Sequence, residues 1–320
     1  MPLVNAFSKA VVRDFSLEEL EEAARLMRGY DLVALCAAGS GNAGGTLSVM
    51  EIVAALYLKV ATHDPNNPEW RHRDRIIWSG AHKAPALYLA LAFAGYFSIE
   101  DVVTLRAPYS PFEVSLHGFE LRGVESFAGS PAQALGTAVR RARCGKLDHE
   151  EHTVFCLMEG GELQKGIQEA AMKASHEELD NLVAIIDCNR SQIGGRIEDV
   201  KYVETLGERY RSLGWQVLEI DGNDMPQVVS ALQRAKNVPV LGKPTVILAN
   251  TVIGKGVSSM ENVAGWLGKA PNYDEMVRAL DELGLRQRIA YDALLASAQE
   301  YQLELAIEVE AKSFSFSHDC

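Results

Sequence analysis

The stretch Thr153-Val-Phe-Cys-Leu-Met-Glu-Gly-Gly-Glu162 is the one that decides the fold class. Its first six residues form a short apolar run without alternation, which is typical of a strand buried on both faces. Glycines follow at once, and a helical pattern then covers residues 162–176. A buried strand that passes through glycine into a helix is the building unit of α/β proteins.

The same alternation of strand and helix continues on both sides of this stretch. Further strands are predicted at residues 74–78, 182–186, 215–220 and 245–249, and helices at residues 84–94, 203–213 and 225–235. Because these strands are apolar on both faces, they favour a doubly wound parallel sheet flanked by helices. We expect right-handed crossovers between them.

The two ends of the chain are predicted to be helical. Ser16-Leu-Glu-Glu19 and Ser48-Val-Met-Glu51 have the spacing of capping boxes, with a glycine-rich turn between them at residues 39–45. We expect one sheet domain over residues 1–285. Residues 286–320 are expected to form a helical extension, packed on the sheet domain or on a partner.

Composition excludes several classes of protein. The chain has 320 residues, a formal net charge of −12 and 48% hydrophobic residues. This acidic balance argues against nucleic-acid binding, which needs a basic surface. We expect no membrane span, and the first 15 residues lack the apolar core of a signal peptide, so we expect a cytoplasmic protein. The five cysteines are odd in number and scattered, which indicates free thiols.

Polar residues and glycines follow three of the predicted strands. They are Glu159-Gly-Gly-Glu162, Asp187-Cys-Asn189 and Thr251-Val-Ile-Gly254-Lys-Gly256. In doubly wound sheets, ligands bind outside the carboxyl ends of the strands, where glycines and helix N-termini suit an anion. An amide oxygen and a backbone carbonyl there suit Mg²⁺. The pattern indicates a diphosphate–metal site, although short polar loops also occur in α/β proteins simply because the chain must turn.

Several motifs together resemble the transketolase family. The resemblance covers about residues 17–285 and is carried by Asp74-Arg-Ile-Ile-Trp-Ser-Gly-Ala-His82-Lys-Ala-Pro-Ala-Leu-Tyr88, Gly123-Val-Glu-Ser-Phe-Ala-Gly129-Ser130, Glu162-Leu-Gln-Lys-Gly166 with Glu169-Ala-Ala-Met172, Asp187-Cys-Asn189, Gly254-Lys-Gly-Val-Ser258 and Gly268-Lys-Ala-Pro271. The chain is similar to the N-terminal, diphosphate-binding half of a split transketolase. The resemblance implies the thiamine-diphosphate-binding fold, with thiamine diphosphate and Mg²⁺ as cofactors.

The resemblance also implies a partner and an activity. The other half of the family binds the aminopyrimidine ring, so we expect the partner to be a C-terminal transketolase subunit, in an α2β2 heterotetramer. The pair would transfer a two-carbon ketol unit from a ketose donor to a small aldose, or to an acceptor on a carrier protein. No nucleic acid or membrane partner is expected.

Individual roles follow from the positions that match the family. His82 and His117 correspond to catalytic histidines, and His82 also to a diphosphate contact. The remaining cofactor-binding positions are Gly129, Gly160, Gly161, Glu162, Asn189, Ser191 and Gly254. The metal positions are Glu159, Asn189 and the backbone carbonyl of Ser191. The family's metal-binding aspartate corresponds to Gly160 when counted from the strand and to Glu159 when counted from the helix, so either Glu159 reaches the metal or the protein ligands are neutral.

Some polar positions of the family are replaced in this chain. Asn42 and Leu267 stand where the family has histidines, and Lys165 stands where it has a glutamate. Loss of a histidine removes a hydrogen-bond donor and a potential acid or base. The leading hypothesis is therefore a transketolase-like enzyme with a non-standard donor or acceptor. The alternative is a non-catalytic scaffold or regulatory subunit with lost or weakened cofactor binding.

Overall fold

The computed structural model describes residues 15–113, 121–128, 131–159, 167–189, 191–192, 195–196 and 206–316. Within them the helices are α1 (Leu17–Ala38), α2 (Ala43–Leu47), α3 (Met50–Ala55), α4 (Ala84–Ala94), α5 (Ile99–Val102), α6 (Pro131–Leu147), α7 (Gln168–His176), α8 (Leu206–Ser212), α9 (Met225–Asn237), α10 (Tyr273–Glu282) and α11 (Tyr291–Phe316). A π-helical turn, Leu56–Val60, continues α3, and single 3-10 turns lie at Ala81–Lys83 and Ala264–Trp266.

Six parallel strands form the central sheet. They are β1 (Arg75–Ser79), β2 (Ser126–Ala128), β3 (Val154–Glu159), β4 (Leu182–Cys188), β7 (Gln216–Asp221) and β8 (Thr245–Asn250), in the order β2-β1-β3-β4-β8-β7. Two further short strands, β5 (Ser191–Gln192) and β6 (Gly195–Arg196), pair with each other in antiparallel fashion. The α/β class and the parallel sheet with flanking helices are therefore confirmed.

Strands β1, β3, β4 and β8 are largely buried on both faces, as their unbroken apolar runs predict, whereas the edge strand β7 is partly exposed. In β3, Phe155 belongs to one core and its neighbour Cys156 to the other. The same division separates Val183 from Ala184 in β4. Helices α1, α3, α4 and α9 cover the first face, and α6, α7 and α8 cover the second. In these central strands, burial of both faces leaves the strand ends as the accessible positions.

The structure confirms the first predicted cap and corrects the second. Ser16 and Glu19 form a complete capping box at the start of α1. Ser48 does not cap a helix: it ends α2, and α3 begins after Val49 without a side-chain cap. The Ser48 hydroxyl instead lies 2.8 Å from the carbonyl oxygen of Gly45 and 3.2 Å from Oδ2 of Asp187. The predicted glycine-rich turn is shorter than expected because α2 already begins at Ala43.

Two features of the described residues bear on the classes considered from composition. No helix in the described ranges is long and apolar enough to cross a membrane. Among the described residues, the thiols of Cys36, Cys144 and Cys156 are free, as the scattered spacing predicts. Helix α11 lies within the expected C-terminal extension, and the side chains of Leu294 and Ala298 are buried in the first core.

Candidate functional site

The candidate site lies where the order of the strands reverses. After β1 the chain adds β2 on one side of that strand, and it then places β3 on the other side. This is the switch point of a doubly wound sheet, where diverging connections leave a crevice at the carboxyl ends of the strands. The 3-10 turn Ala81–Lys83 follows β1 here, and Glu159 ends β3.

Lys83 brings a buried positive charge to this crevice. Its side chain is only 2% exposed, and its Nζ lies 2.9 Å from Oε1 of Glu159. The same ammonium donates to Oδ2 of Asp187, the residue opposite Glu159 on β4. Burial by itself lowers the pKa of Lys83, but the two carboxylates more than offset it and hold the pKa above its ordinary value. Lys83 is therefore a fixed cation at neutral pH.

Asp187 connects four segments at the ends of the strands. Besides Lys83, its carboxylate accepts hydrogen bonds from the Thr251 hydroxyl and from Asn189 Nδ2, the latter at 3.2 Å. Ser48, at the junction of α2 and α3, lies 3.2 Å away. Asp187 is fully buried, and a buried carboxylate is tolerated only when such donors surround it. These contacts fix the geometry of the site without any ligand.

Glu159 contacts His82 as well as Lys83. Its Oε2 lies 3.4 Å from Nε2 of His82, whose side chain is half exposed. Burial raises the pKa of Glu159, but Lys83 and His82 outweigh it and lower the pKa to about 2. Glu159 is thus an anion whose two oxygens face an ammonium and an imidazole.

The other predicted residues in the described ranges lie nearby on strand ends or loops. Asn189 is buried directly after β4, and the backbone of Ser191 begins β5. Gly254 follows β8 with a positive φ of 66°, and its N–H donates to Gly44 O at 2.9 Å. A Cβ at Gly254 would lie 2.4 Å from the carbonyl oxygen of Met260, so glycine is required there by packing.

Two replaced histidine positions, Asn42 and Leu267, lie on two loops that hydrogen bonds connect. The Asn42 side chain caps α2 by accepting from the Gly45 N–H at 3.1 Å. The same oxygen accepts from the Gly268 N–H at 3.3 Å, the residue that follows the half-buried Leu267. Asn42 therefore joins two loops, and its side-chain oxygen is used within the protein.

Five predicted site residues lie outside the described ranges: His117, Gly129, Gly160, Gly161 and Glu162. Lys165, the third replaced position, lies outside them as well. Their roles stay predictions.

Sequence reasoning did not assign a role to Lys83. The available signal was a lysine placed directly before α4, whose residues are all buried. A charged side chain that enters such an apolar segment needs a buried partner. The partner, Asp187, lies 104 residues away in the sequence, which hides the pair from local patterns.

Comparison with known proteins identifies the family of this site. Residues 19–307 match the family described as "Transketolase, thiamine diphosphate binding domain". The chain belongs to the transketolase family. This membership confirms the resemblance carried by the motifs around His82, Gly129, Glu162 and Asn189.

Two relatives are subunits of transketolases. A 6-deoxy-6-sulfo-D-fructose transketolase subunit of Clostridium sp. (strain MSTE9) is 38% identical over 76% of this chain and 88% of its own length. An apulose-4-phosphate transketolase subunit of Phocaeicola vulgatus is 36% identical over 77% of this chain and 88% of its own length.

A solved structure shows the same fold. Transketolase from Campylobacter jejuni superimposes with a TM-score of 0.77 at 30% identity, covering 93% of this chain and 48% of that protein. The chain therefore spans about half the length of that transketolase.

The site residues fit the two family cofactors unequally. The half-exposed His82 imidazole can donate a hydrogen bond to an anionic diphosphate at the strand ends, whereas the Lys83 ammonium is buried against two carboxylates. The carboxylates of Glu159 and Asp187 are already occupied by Lys83. In the part of the chain that the structure describes, no three His, Cys, Asp or Glu side chains are grouped to hold a metal. His82 thus fits the diphosphate of thiamine diphosphate, and the neutral oxygens of Asn189 and Ser191 fit a divalent cation.

Proposed function

We propose that the chain is the diphosphate-binding subunit of a two-component, thiamine-diphosphate-dependent transketolase that transfers a two-carbon ketol unit. The observation that carries this proposal is the buried Lys83–Glu159–Asp187 cluster at the switch point, beside His82. The cluster holds Glu159 in contact with His82, a half-exposed imidazole at the strand ends where this fold binds anions.

Within this function the cofactor, when bound, supplies an electron sink for breaking a carbon–carbon bond next to a carbonyl. The chain's own residues would bind and orient it. His82 would donate a hydrogen bond to the diphosphate, and Asn189 and the Ser191 carbonyl would hold Mg²⁺. Gly254 would let its loop approach closely, since a side chain there collides with Met260.

We further propose that the partner is a C-terminal transketolase subunit in an α2β2 assembly. Support comes from the two relatives of similar length, which are both named as subunits. Such a partner would contribute the aminopyrimidine-binding half. A ketose or aldose would be the small-molecule substrate, and a carrier-bound acceptor is an alternative substrate form.

A non-standard donor or acceptor is the third part of the proposal. Asn42 and Leu267 replace histidines of the family, and the Asn42 oxygen is already used by the Gly45 and Gly268 N–H groups. The relatives named above act on a sulfosugar and on apulose 4-phosphate, according to their names. Incubating the subunit pair with a panel of ketoses and aldehydes, with mass spectrometry of the products, would identify the pair of substrates. Equal or faster turnover of common pentose phosphates would contradict this part.

Calorimetric titration tests cofactor binding directly. The chain, co-purified with the C-terminal subunit from the same genome, is titrated with thiamine diphosphate in the presence of Mg²⁺. Saturable binding is expected, and His82→Gln should weaken it. His176→Gln is the matched control, because His176 is exposed at the end of α7 and away from the strand ends. Absence of saturable binding would favour the alternative of a non-catalytic scaffold or regulatory subunit.

A further inference from the structure

Lys83 occupies the place between two carboxylates where a divalent cation would otherwise bind. Glu159 and Asp187 are direct neighbours in the register of β3 and β4, and the Lys83 ammonium contacts both. We propose that Lys83 is a built-in substitute for a divalent cation at Glu159, and that the Mg²⁺ of this site is held by neutral oxygens alone. This inference deepens the proposed function and rests on it.

A metal bound to Oε1 of Glu159 would lie close to the Lys83 ammonium. Magnesium binds carboxylate oxygens at about 2.1 Å. A cation on Oε1 of Glu159 would then lie within about 5 Å of the Lys83 Nζ, which is 2.9 Å from that oxygen. With Lys83 only 2% exposed, little water is available to screen the repulsion between the two positive charges. The ammonium and a Glu159-bound metal therefore compete for one carboxylate.

Lys83 cannot easily yield this position. Its backbone N–H donates to Gly80 O at 3.1 Å, and it leads directly into α4, whose residues are all buried. Asp187 is equally fixed, because Thr251 and Asn189 hydrogen-bond to its carboxylate. The two carboxylates and the ammonium thus hold one another in place. Glu159 is therefore a positioning residue for Lys83 and His82.

Removal of the ammonium should convert this set into a metal site. In Lys83→Met the carboxylates of Glu159 and Asp187 would face each other across neighbouring strands without a cation, with the Asn189 amide beside them. Hard divalent cations take such oxygen ligands. Lys236→Met is the matched control, since Lys236 is also ion-paired with a buried carboxylate, Asp74, at 2.6 Å. We expect no metal site there because only one carboxylate would be released.

The experiment uses Mn²⁺ alone as the probe on the full-length chain, without thiamine diphosphate. Binding is followed by electron paramagnetic resonance, and thermal unfolding is recorded with and without Mn²⁺. We expect Lys83→Met to bind Mn²⁺ about tenfold more tightly than the unmodified chain and to regain thermal stability with it. Lys236→Met should do neither. Equal Mn²⁺ affinity in the unmodified chain and Lys83→Met would overturn the inference.

Glu159→Gln decides the matter even if Lys83→Met does not fold. Glutamine keeps the size of the side chain and an acceptor for Lys83. We expect the Mn²⁺ affinity of the otherwise unmodified chain to change less than about twofold, whereas loss of a metal ligand would cost about tenfold or more. A tenfold loss would assign Glu159 to the metal and refute our proposal. Because these titrations contain no cofactor, their result is independent of whether thiamine diphosphate binds.

Discussion

Replacing Asp187 with alanine should destabilise the folded chain strongly. The substitution removes the acceptor of the Thr251 hydroxyl and the Asn189 amide, and one of the two carboxylates that neutralise buried Lys83. Removing one partner of a buried ion pair costs about 3–5 kcal/mol. Each donor left unsatisfied adds about 1 kcal/mol. Since Glu159 remains beside Lys83 and offsets part of this loss, we expect the free energy of unfolding to fall by about 3–4 kcal/mol.

Urea unfolding at neutral pH, followed by tryptophan fluorescence, measures this change. Asp281→Ala is the matched control, because Asp281 pairs with Arg286 at 2.7 Å with both side chains about half exposed. Exposed pairs of this kind contribute about 0–1 kcal/mol. A loss in Asp187→Ala of less than about 1 kcal/mol, similar to the control, would refute the assignment of Asp187 as the centre of the site.

A double-mutant cycle separates the ion pair from general packing. Lys83→Met leaves Asp187 without its cation, and Asp187→Ala leaves Lys83 with Glu159 as its remaining carboxylate, whereas the double variant removes both charges of the Lys83–Asp187 pair. The combined loss should therefore be smaller than the sum of the single losses by about 1–3 kcal/mol. Strict additivity would mean that the two side chains act independently.

Three further predictions concern backbone strain and pH. Gly254→Ala should cost about 2–4 kcal/mol, because alanine is strained at a φ of 66° and its Cβ would collide with Met260; unchanged thermal unfolding would contradict this. Burial raises the pKa of Asp31 to about 8, although Thr46 and Arg28 favour the anion. Near neutral pH the folded state therefore keeps the Asp31 carboxyl protonated, while the unfolded chain releases that proton. The free energy of unfolding should therefore fall as the pH rises from about 4 to about 8. Asp31→Asn should stabilise the chain by roughly 3–5 kcal/mol at pH 8 and little at pH 4. Urea unfolding at both pH values measures this difference. The lowered pKa of Glu159 gives the opposite pH dependence: it contributes about 3 kcal/mol to the free energy of unfolding above pH 4.5, and this contribution is lost as the pH falls towards 2. Acid unfolding of Glu159→Gln should not show that loss.

Five strands of the six-stranded sheet were predictable from sequence because their signal is local, whereas the three-residue strand β2 was not predicted. The apolar run at residues 154–158 is buried on both faces, and its composition indicates a parallel strand. The helix at Ala84–Ala94 was predicted with the same bounds that the structure shows, since glycine ends it and its residues are all apolar. The capping box at Ser16 is equally local, because both of its hydrogen bonds join residues three positions apart.

The site was predictable only in part, because its contacts are not local. The strand-end positions of Glu159 and Asn189 follow from the strand pattern, but the direction in which the Glu159 carboxylate points depends on Lys83 in a distant segment. Ser48 has the spacing of a helix cap, yet its hydroxyl lies against Asp187, 139 residues away. A capping pattern competes with any tertiary partner that reaches the same hydroxyl, and sequence spacing cannot show that competition.

The separation of Lys83 from Asp187 has a consequence for the order in which the chain folds. During synthesis, Lys83 leaves the ribosome 104 residues before Asp187, the later of the two carboxylates that neutralise it. At synthesis rates of about 5–20 residues per second, this leaves an interval of about 5–20 s. A lysine without a carboxylate partner resists burial, so the segment that contains α4 should stay hydrated until β3 and β4 are available. The same charge that organises the finished site should therefore delay closure of the nascent domain until its central strands have been made.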